Sequence, residues 1–168
     1  MNTAEKESDD DRRISIICFS LTGKETAQKL KDGLEKCGYH TELYKKSRYL
    51  EDSIAESTAN WTAEHFHRED GLIFVGACGI AVRSIAPQVA SKKSDPAVLV
   101  VDECGQFVIS LLSGHLGGAN ELSLKAAQIL GAQPVVTTAT DLHKRFAVDV
   151  FSRKNNCEIL FMKAAKEV

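Results

Sequence analysis

The chain has 168 residues, of which 43% are hydrophobic and 26% are charged, a composition typical of one globular domain with a sizeable core. Its formal net charge of −2 arises within Met1–Arg13, because the other residues carry equal numbers of acidic and basic side chains. A neutral body argues against a nucleic-acid-binding protein, which needs surplus Lys and Arg to displace counterions, and no apolar run reaches the roughly 20 residues of a membrane span.

Residues 1–13 precede the first predicted strand. They are acidic and polar, without the apolar stretch and cleavage site of a signal peptide, and we expect them to form a disordered leader. The five cysteines are widely and irregularly spaced, and none forms a C-x-x-C pair. This pattern indicates a reduced, cytoplasmic protein without a zinc or thioredoxin-type site, and no histidine pair has the spacing of metal ligands.

The first half of the chain predicts a strand–helix–strand unit, which normally builds a parallel sheet. Ile14–Phe19 is short, apolar and rich in β-branched residues, as expected of a buried strand. The segment Thr22–Glu25 matches a capping box at the start of a helix, which Gly38 ends. We expect a second strand at His40–Tyr44 and a covering helix over Ser57–Asp70.

The second half predicts the remaining elements of a three-layer α/β, Rossmann-like domain that spans residues 14–150. Its sheet is expected to be mostly parallel, with one antiparallel hairpin. The expected elements are a strand at Leu72–Val75, a helix from Ile80, a hairpin of Ala97–Asp102 with Phe107–Leu112, a helix from Ala119 and a core strand at Pro134–Thr138.

Polar, glycine-containing turns follow several of the predicted strands. In open α/β sheets, ligands bind outside the carboxyl ends of the strands, at the point where the strand order reverses. We therefore expect these turns to meet at one edge of the sheet and to line a common cleft. The turns are Ser20–Gly23, Gly76–Gly79, Ser113–Asn120 and Thr137–Asp141.

Gly76 and Gly79 precede a helix whose amino-terminal amides could hold an anion. The same spacing fits a tight strand-to-helix turn that needs glycine, and the sequence does not decide between the two interpretations. Arg83 follows Gly79 by one helical turn, and it could either hold a carboxylate in a bidentate fashion or be a solvated surface charge.

The segment Ser113–Gly118, with the sequence SGHLGG, carries the strongest functional pattern. A histidine between glycines, after an apolar strand and before a helix, is poorly explained by core packing. The imidazole of His115 could accept a proton from water, and the backbone amides from Gly117 to Asn120 could stabilise an oxyanion. The alternative is a histidine that caps the sheet edge. Ser113 is not within a G-x-S-x-G turn, so a covalent serine mechanism is not expected.

Residues 71–141 resemble the N-terminal domain of the cobalt-precorrin-5A hydrolases (CbiG) of anaerobic cobalamin biosynthesis. The segments that carry the resemblance are DPAVLVVDE, FVISLLSGHLGGAN and PVVTTATD. A looser similarity extends back to Ile14 and forward to Asp149. The resemblance implies an α/β N-terminal domain that is joined through a linker to a distinct C-terminal α/β domain. On this basis residues 151–168 are expected to begin the linker to that C-terminal domain.

The resemblance also implies a reaction, which opens the δ-lactone of cobalt-precorrin-5A and releases acetaldehyde to give cobalt-precorrin-5B. Water attacks the lactone carbonyl, and an alcohol then loses its proton as a carbon–carbon bond breaks. The macrocycle delocalises the electrons and brings its own cobalt, so neither an organic cofactor nor a protein-bound metal is implied. The expected partners are this tetrapyrrole and the C-terminal domain, with no nucleic acid and no membrane.

These chemical roles fall on residues within the matching segments. His115 is the candidate general base, and Asp102 or Asp141 would orient a partner in the reaction. Arg83 and Lys92 would bind carboxylates of the substrate. The full set of expected substrate-binding residues is Thr22, Gly23, Gly76, Gly79, Arg83, Lys92, Ser113, Gly114, Gly117, Gly118, Asn120 and Thr138.

Two other functions stay open at this point. The domain could bind the corrinoid or support the C-terminal domain while that domain performs the chemistry. A nucleotide-binding Rossmann-like module is a further interpretation, which is weakened because no acidic residue follows a glycine-rich fingerprint at the expected spacing.

Overall fold

The computed structural model describes residues 12–138 and arranges them as an α/β domain. Residues 1–11 of the expected leader, Asp141 and the expected linker at residues 151–168 lie outside the described part. Within residues 12–138, no helix is long and apolar enough to cross a membrane. The elements in chain order are β1 (Arg13–Cys18), α1 (Leu21–Lys36), β2 (His40–Lys45), α2 (Thr58–His65), β3 (Gly71–Val75), α3 (Cys78–Ile85), β4 (Ala97–Val101), β5 (Phe107–Leu112), α4 (Ala119–Leu130) and β6 (Gln133–Val135).

The described strands form one six-stranded sheet with the order β2-β1-β3-β4-β5-β6. The strands β1 to β4 are parallel to one another, whereas β5 pairs with β4 in the antiparallel direction. Because β6 pairs with β5 in parallel, both β5 and β6 run opposite to the first four strands. The strand order reverses between β1 and β3, so the carboxyl ends of these two strands form the topological switch point.

Helices cover both faces of the sheet and give the domain three layers. Helices α1 and α4 pack on one face, against residues such as Ile16 and Leu99, and α2 and α3 pack on the other, against residues such as Ile17 and Phe74. Side chains alternate between the faces along each strand, so the apolar run of β1 contributes to both cores. The predicted three-layer α/β fold, with a mostly parallel sheet and one antiparallel pair, is confirmed.

Helix α1 begins before the predicted capping box. Ser20 is its N-cap: the backbone of Ser20 is extended, and its Oγ accepts a hydrogen bond from the Gly23 amide at 3.0 Å. Thr22 consequently lies exposed in the first turn and does not cap the helix. The prediction placed the cap wrongly because Ser and Thr are both good N-cap residues, and the pattern favours the one that Glu25 follows three positions later.

Strand β6 is a short strand at the edge of the described sheet, and the prediction of a core strand over Pro134–Thr138 is wrong. It spans Gln133–Val135, and none of its residues is fully buried. Pro134 lacks an amide hydrogen, which confines proline to edge positions of a sheet. Thr138 therefore follows the strand instead of belonging to it.

Candidate functional site

The strand directions place the predicted turns at two opposite edges of the sheet. Ser20–Gly23 and Gly76–Gly79 follow β1 and β3 and share one edge, which we call the switch-point edge. Ser113–Asn120 follows β5 and Thr138 follows β6, so both lie at the opposite edge, which we call the histidine-loop edge. The five residues of β3 keep the two edges roughly 17 Å apart.

The expectation of one common cleft is therefore wrong. The hairpin between β4 and β5 reverses the chain, and α4 returns it so that β6 runs parallel to β5. The carboxyl ends of β5 and β6 consequently lie beside the amino ends of β1 to β4. His115 shares an edge with Thr138, whereas the length of the strands separates His115 from Gly79.

Asp102 lies at the switch-point edge, where it orders the hairpin between β4 and β5. Its carboxylate accepts hydrogen bonds from the amides of Cys104, Gln106 and Phe107 at 3.1, 2.8 and 2.6 Å. These bonds satisfy amides that the reversal of the chain would otherwise leave without a partner. Asp102 is consequently not placed to orient His115, and the structure gives it a role in the hairpin instead.

A second set of contacts holds this hairpin against the start of α1. Ser20 Oγ donates to a carboxylate oxygen of Glu103 at 2.6 Å, and Thr26 Oγ1 donates to the Glu103 carbonyl oxygen at 2.7 Å. Ser20 Oγ also accepts from the Gly23 amide, as described above. The hydroxyl of Ser20 is thus engaged both as donor and as acceptor within the fold.

Gly76 and Gly79 form the turn from β3 into α3. A Cβ on Gly76 would lie 2.8 Å from Phe19 Cδ2, so glycine is needed there for close packing. The Arg83 guanidinium is exposed and donates to the Gly79 carbonyl oxygen at 3.2 Å. These contacts support the tight-turn interpretation of Gly76 and leave Arg83 as an exposed cation beside the first turn of α3.

Cys18 ends β1 close to the same edge, and its thiol is buried. Burial raises the pKa of this thiol, and the nearby Lys45 and Lys24 oppose that shift only in part. A buried thiol with a raised pKa is a poor nucleophile, so Cys18 is a packing residue. The other cysteines of the described part are exposed free thiols, namely Cys37, Cys78 and Cys104.

The histidine loop, Ser113–Gly118, folds onto itself before α4 begins. Three amides at the start of α4 donate to carbonyl oxygens of the loop: Gly118 to His115 at 3.2 Å, Ala119 to Ser113 at 3.2 Å and Asn120 to Gly114 at 3.0 Å. Of the four amides that were expected to stabilise an oxyanion, these three are engaged within the fold. Of these four amides, the Gly117 amide is the one left as a candidate for an oxyanion site.

Ser113 is the strained residue of the loop. Its φ is 59°, in the left-handed region that costs a residue with a Cβ about 1 kcal/mol or more. Its Oγ is buried and has no hydrogen-bond partner among the described residues. Gly117 must be a glycine because a Cβ there would lie 2.4 Å from Ser113 Cβ. Strain of this kind is concentrated at functional sites, and it marks the loop as a candidate.

Asn120 and Thr138 meet at the histidine-loop edge, where Asn120 Nδ2 donates to Thr138 Oγ1 at 2.9 Å. Both were expected to bind substrate. Asn120 is only 9% exposed, so its side chain is engaged inside the fold and does not present its amide for a substrate. Thr138 is partly exposed at this edge.

Arg12 and the turn that carries Lys92 border the histidine loop, and of these two residues only Lys92 was evident as a candidate from the sequence. A Cβ on Gly117 would lie 3.2 Å from the Asp95 carbonyl oxygen. Asp95 belongs to the same turn as the exposed Lys92, so this turn adjoins the loop. A Cβ on Gly118 would lie 3.1 Å from Arg12 Nη1, so this guanidinium also adjoins the loop. Arg12 was missed because it was assigned to the leader, although it directly precedes β1 and so belongs to this edge.

The predicted site residues therefore separate into two groups. One group belongs to the switch-point edge: Thr22, Gly23, Gly76, Gly79, Arg83 and Asp102. The other belongs to the histidine-loop edge: Lys92, Ser113, Gly114, His115, Gly117, Gly118, Asn120 and Thr138. Asp141 lies outside the described residues.

A cavity of about 770 Å³ lies beside the amino ends of β1 and β2. The cavity is lined by five glutamates but only two arginines, Arg13 and Arg68, so its lining does not suit a substrate with many carboxylates.

The buried His65 also lines this cavity, and its ring nitrogens contact the Trp61 carbonyl oxygen at 2.8 Å and the Tyr44 hydroxyl at 3.0 Å. His65 is thus a packed and hydrogen-bonded core histidine. None of the predicted site residues is among those that line this cavity.

A family model described as "Cobalamin synthesis G N-terminal" matches residues 60–141. The chain is 41% identical over 165 residues to the cobalt-precorrin-5A hydrolase of Salmonella typhimurium, a match that covers 98% of this chain and 45% of the relative. It is 51% identical over 144 residues to the cobalt-precorrin-5A hydrolase of Priestia megaterium, which covers 83% of this chain and 38% of the relative.

A solved structure agrees with these relatives. A homologue of cobalamin biosynthesis protein G from Sulfolobus solfataricus superposes with a TM-score of 0.61 at 28% sequence identity, covering 75% of this chain and 37% of that protein. The chain thus spans less than half the length of each of these proteins. The family model, the curated relatives and the shared fold lead to the same conclusion: the chain belongs to the cobalt-precorrin-5A hydrolase (CbiG) family and carries its N-terminal domain.

Proposed function

We propose that this domain opens the δ-lactone of cobalt-precorrin-5A at the histidine-loop edge, with release of acetaldehyde and formation of cobalt-precorrin-5B. The substrate follows from relatives of 41% and 51% identity that are named cobalt-precorrin-5A hydrolases. The observation that supports the site is the position of Arg12 Nη1, and of the turn that carries Lys92, beside the loop that contains His115 and Gly117.

His115 acts as the general base in the first step. A neutral imidazole takes a proton from water while the water oxygen attacks the lactone carbonyl carbon. The Gly117 amide donates to the carbonyl oxygen as that oxygen becomes negatively charged. When the ring C–O bond breaks, the imidazolium returns its proton to the departing oxygen, which leaves a carboxyl group and a free hydroxyl.

The same imidazole assists the second step. It accepts the proton of the new hydroxyl while the adjacent carbon–carbon bond breaks and the carbonyl group of acetaldehyde forms. The electron pair of the broken bond passes into the macrocycle, whose conjugation delocalises it. The proposal therefore asks for no organic cofactor, and the cobalt ion belongs to the substrate.

Arg12 and Lys92 bind carboxylate arms of the substrate in this proposal. Guanidinium and ammonium groups both pair with carboxylates, and the planar guanidinium can do so in a bidentate fashion. Thr138, which is partly exposed at the same edge, supplies a hydroxyl to the same substrate. The C-terminal domain implied by the family resemblance would cover the remaining part of a macrocycle that is wider than this loop.

The His115→Ala variant tests the general-base assignment. We expect the rate of acetaldehyde release to fall about 100-fold or more, because general-base catalysis contributes factors of this size. His67→Ala is the matched control, since His67 is an exposed histidine in the connection between α2 and β3 and lies outside the histidine loop. A His115→Ala protein that keeps the wild-type rate would remove His115 from the mechanism.

A non-catalytic role is the second candidate function, and the engagement of three loop amides within the fold favours it. In this case the domain binds the corrinoid or supports a partner domain that performs the chemistry. Incubation of the chain with cobalt-precorrin-5A separates the two candidates. Release of acetaldehyde by the chain alone supports catalysis. A shift in the absorbance of the bound corrinoid without release of acetaldehyde supports the second role. The second role is also supported if acetaldehyde is released only after the unmatched part of the Salmonella typhimurium relative is added.

A further inference from the structure

Asn120 is a buried polar residue in the first turn of α4, and its side chain connects two separate segments of the chain. A buried amide must satisfy both its oxygen and its NH2 group. Asn120 Oδ1 accepts from Ser110 Oγ at 2.7 Å, and Asn120 Nδ2 donates to Thr138 Oγ1 at 2.9 Å. One side chain thus ties β5 to the segment that follows β6.

The same residue also fixes the histidine loop. The Asn120 amide donates to the Gly114 carbonyl oxygen at 3.0 Å, and Gly114 directly precedes His115. A Cβ on Gly114 would lie 2.8 Å from Asn120 Oδ1 and 3.0 Å from Thr138 Cγ2, so glycine allows both side chains to contact the loop backbone. The position of His115 relative to Thr138 therefore depends on Asn120.

We infer that Asn120 is a positioning residue, which holds the histidine loop and Thr138 in one geometry through its hydrogen bonds to Ser110, Gly114 and Thr138. The effect on catalysis rests on the proposed function, because it requires His115 to act on the substrate. The effect on the loop does not. A residue that only stabilises the fold would change the free energy of unfolding, whereas a positioning residue changes the local order of the loop and the turnover number.

Ser123 provides a matched control on the same helix. Its Oγ is buried and donates to the Asn120 carbonyl oxygen at 2.7 Å. The Ser123→Ala variant therefore loses a buried hydroxyl hydrogen bond of the same kind as Ser110→Ala. It leaves the contacts of Asn120 with Ser110, Gly114 and Thr138 intact.

The test compares Ser110→Ala and Thr138→Val with Ser123→Ala in the 168-residue chain. Ser110→Ala removes the donor to Asn120 Oδ1, and Thr138→Val removes the acceptor of Asn120 Nδ2 with little change in shape. We expect amide hydrogen exchange at Gly118, Ala119 and Asn120, whose amides are hydrogen-bonded to the loop, to become about tenfold faster in both variants and not in Ser123→Ala, since exchange reports local opening. For Ser110→Ala, whose side chain has no role in substrate binding, we expect kcat for acetaldehyde release to fall about tenfold with KM within about twofold of wild type, because the loss is in the transition state.

Thr138→Ser serves as the conservative variant, because it keeps the hydroxyl that Asn120 Nδ2 contacts, and its loop should exchange at the wild-type rate. Equal exchange rates in wild type, Ser110→Ala and Thr138→Val would overturn the inference, and so would an equal acceleration in Ser123→Ala. Failure of the wild-type chain to release acetaldehyde would instead count against the proposed function. The exchange rates would still decide whether Asn120 positions the loop.

Discussion

The two edges of the sheet carry similar glycine-containing polar turns, and they use them differently. At the switch-point edge, the side chains of Ser20 and Asp102 are engaged within the fold, where they cap α1 and order the hairpin. At the histidine-loop edge, Ser113 keeps a buried hydroxyl without a partner among the described residues and a left-handed backbone. A polar turn at a strand end is thus weak evidence for a ligand, whereas a turn that retains strain is stronger evidence.

Substitution of one glycine at each edge should give the largest difference in the free energy of unfolding between the two edges. Gly117→Ala should destabilise the domain by about 3 kcal/mol, because the new Cβ would lie 2.4 Å from Ser113 Cβ and 2.9 Å from the Ser113 carbonyl oxygen, so the backbone must move. Gly79→Ala should be neutral or stabilising by up to about 1 kcal/mol, because its new Cβ would meet only the flexible Arg83 guanidinium and alanine favours a helix.

Urea unfolding of the two variants measures this difference. Equal losses of stability would mean that the loop at Gly117 adjusts easily, and the claim of a tightly constrained histidine loop would then be wrong. A Gly79→Ala protein that keeps its stability but loses corrinoid binding would show that the switch-point edge also contacts the substrate.

The sequence predicted most of the elements but not the separation of the site into two edges. The apolar run of β1 and the helix that Gly38 ends were both readable, because burial and left-handed glycines at helix ends leave local signals. The hairpin of β4 and β5 was predicted too, and its reversal already implied that β5 ends opposite β1 and β3. That step was not taken, so the common cleft was an error of inference and not a missing signal.

Other features could not be read from the chain because they depend on tertiary pairing. The direction of β6 is set by its pairing with β5. The proximity of Arg12 to Gly118 follows from the same arrangement, which brings the start of β1 to the histidine-loop edge. The role of Asp102 depends on amides two to five residues later in the hairpin, and no periodic pattern distinguishes it from a catalytic carboxylate.

An intermediate loss of stability is expected on substitution of Asp102, which lies at the switch-point edge and is therefore separated from His115. Asp102→Ala should lower the free energy of unfolding by about 2 kcal/mol, because charge-assisted hydrogen bonds to hairpin amides are lost. The rate of acetaldehyde release per folded molecule should stay within about twofold of wild type, since the substitution leaves the transition-state contacts in place. A large loss of rate without a loss of stability would place Asp102 in the reaction and break the division between the edges.

The smallest expected change in the free energy of unfolding concerns Ser113. It is a gain of stability, in contrast to the losses expected for Gly117→Ala and Asp102→Ala. Ser113→Gly should stabilise the domain by about 1 kcal/mol, because glycine adopts a φ of 59° without strain and removes a buried hydroxyl that has no partner within residues 12–138. Ser113→Ala separates the two contributions, since it removes the hydroxyl and keeps the strained Cβ. If the loop keeps its strain for function, the stabilised Ser113→Gly protein should release acetaldehyde more slowly. A destabilised Ser113→Ala protein would show that the hydroxyl has a partner in the folded chain, and Ser113 would then resemble Ser20 at the other edge.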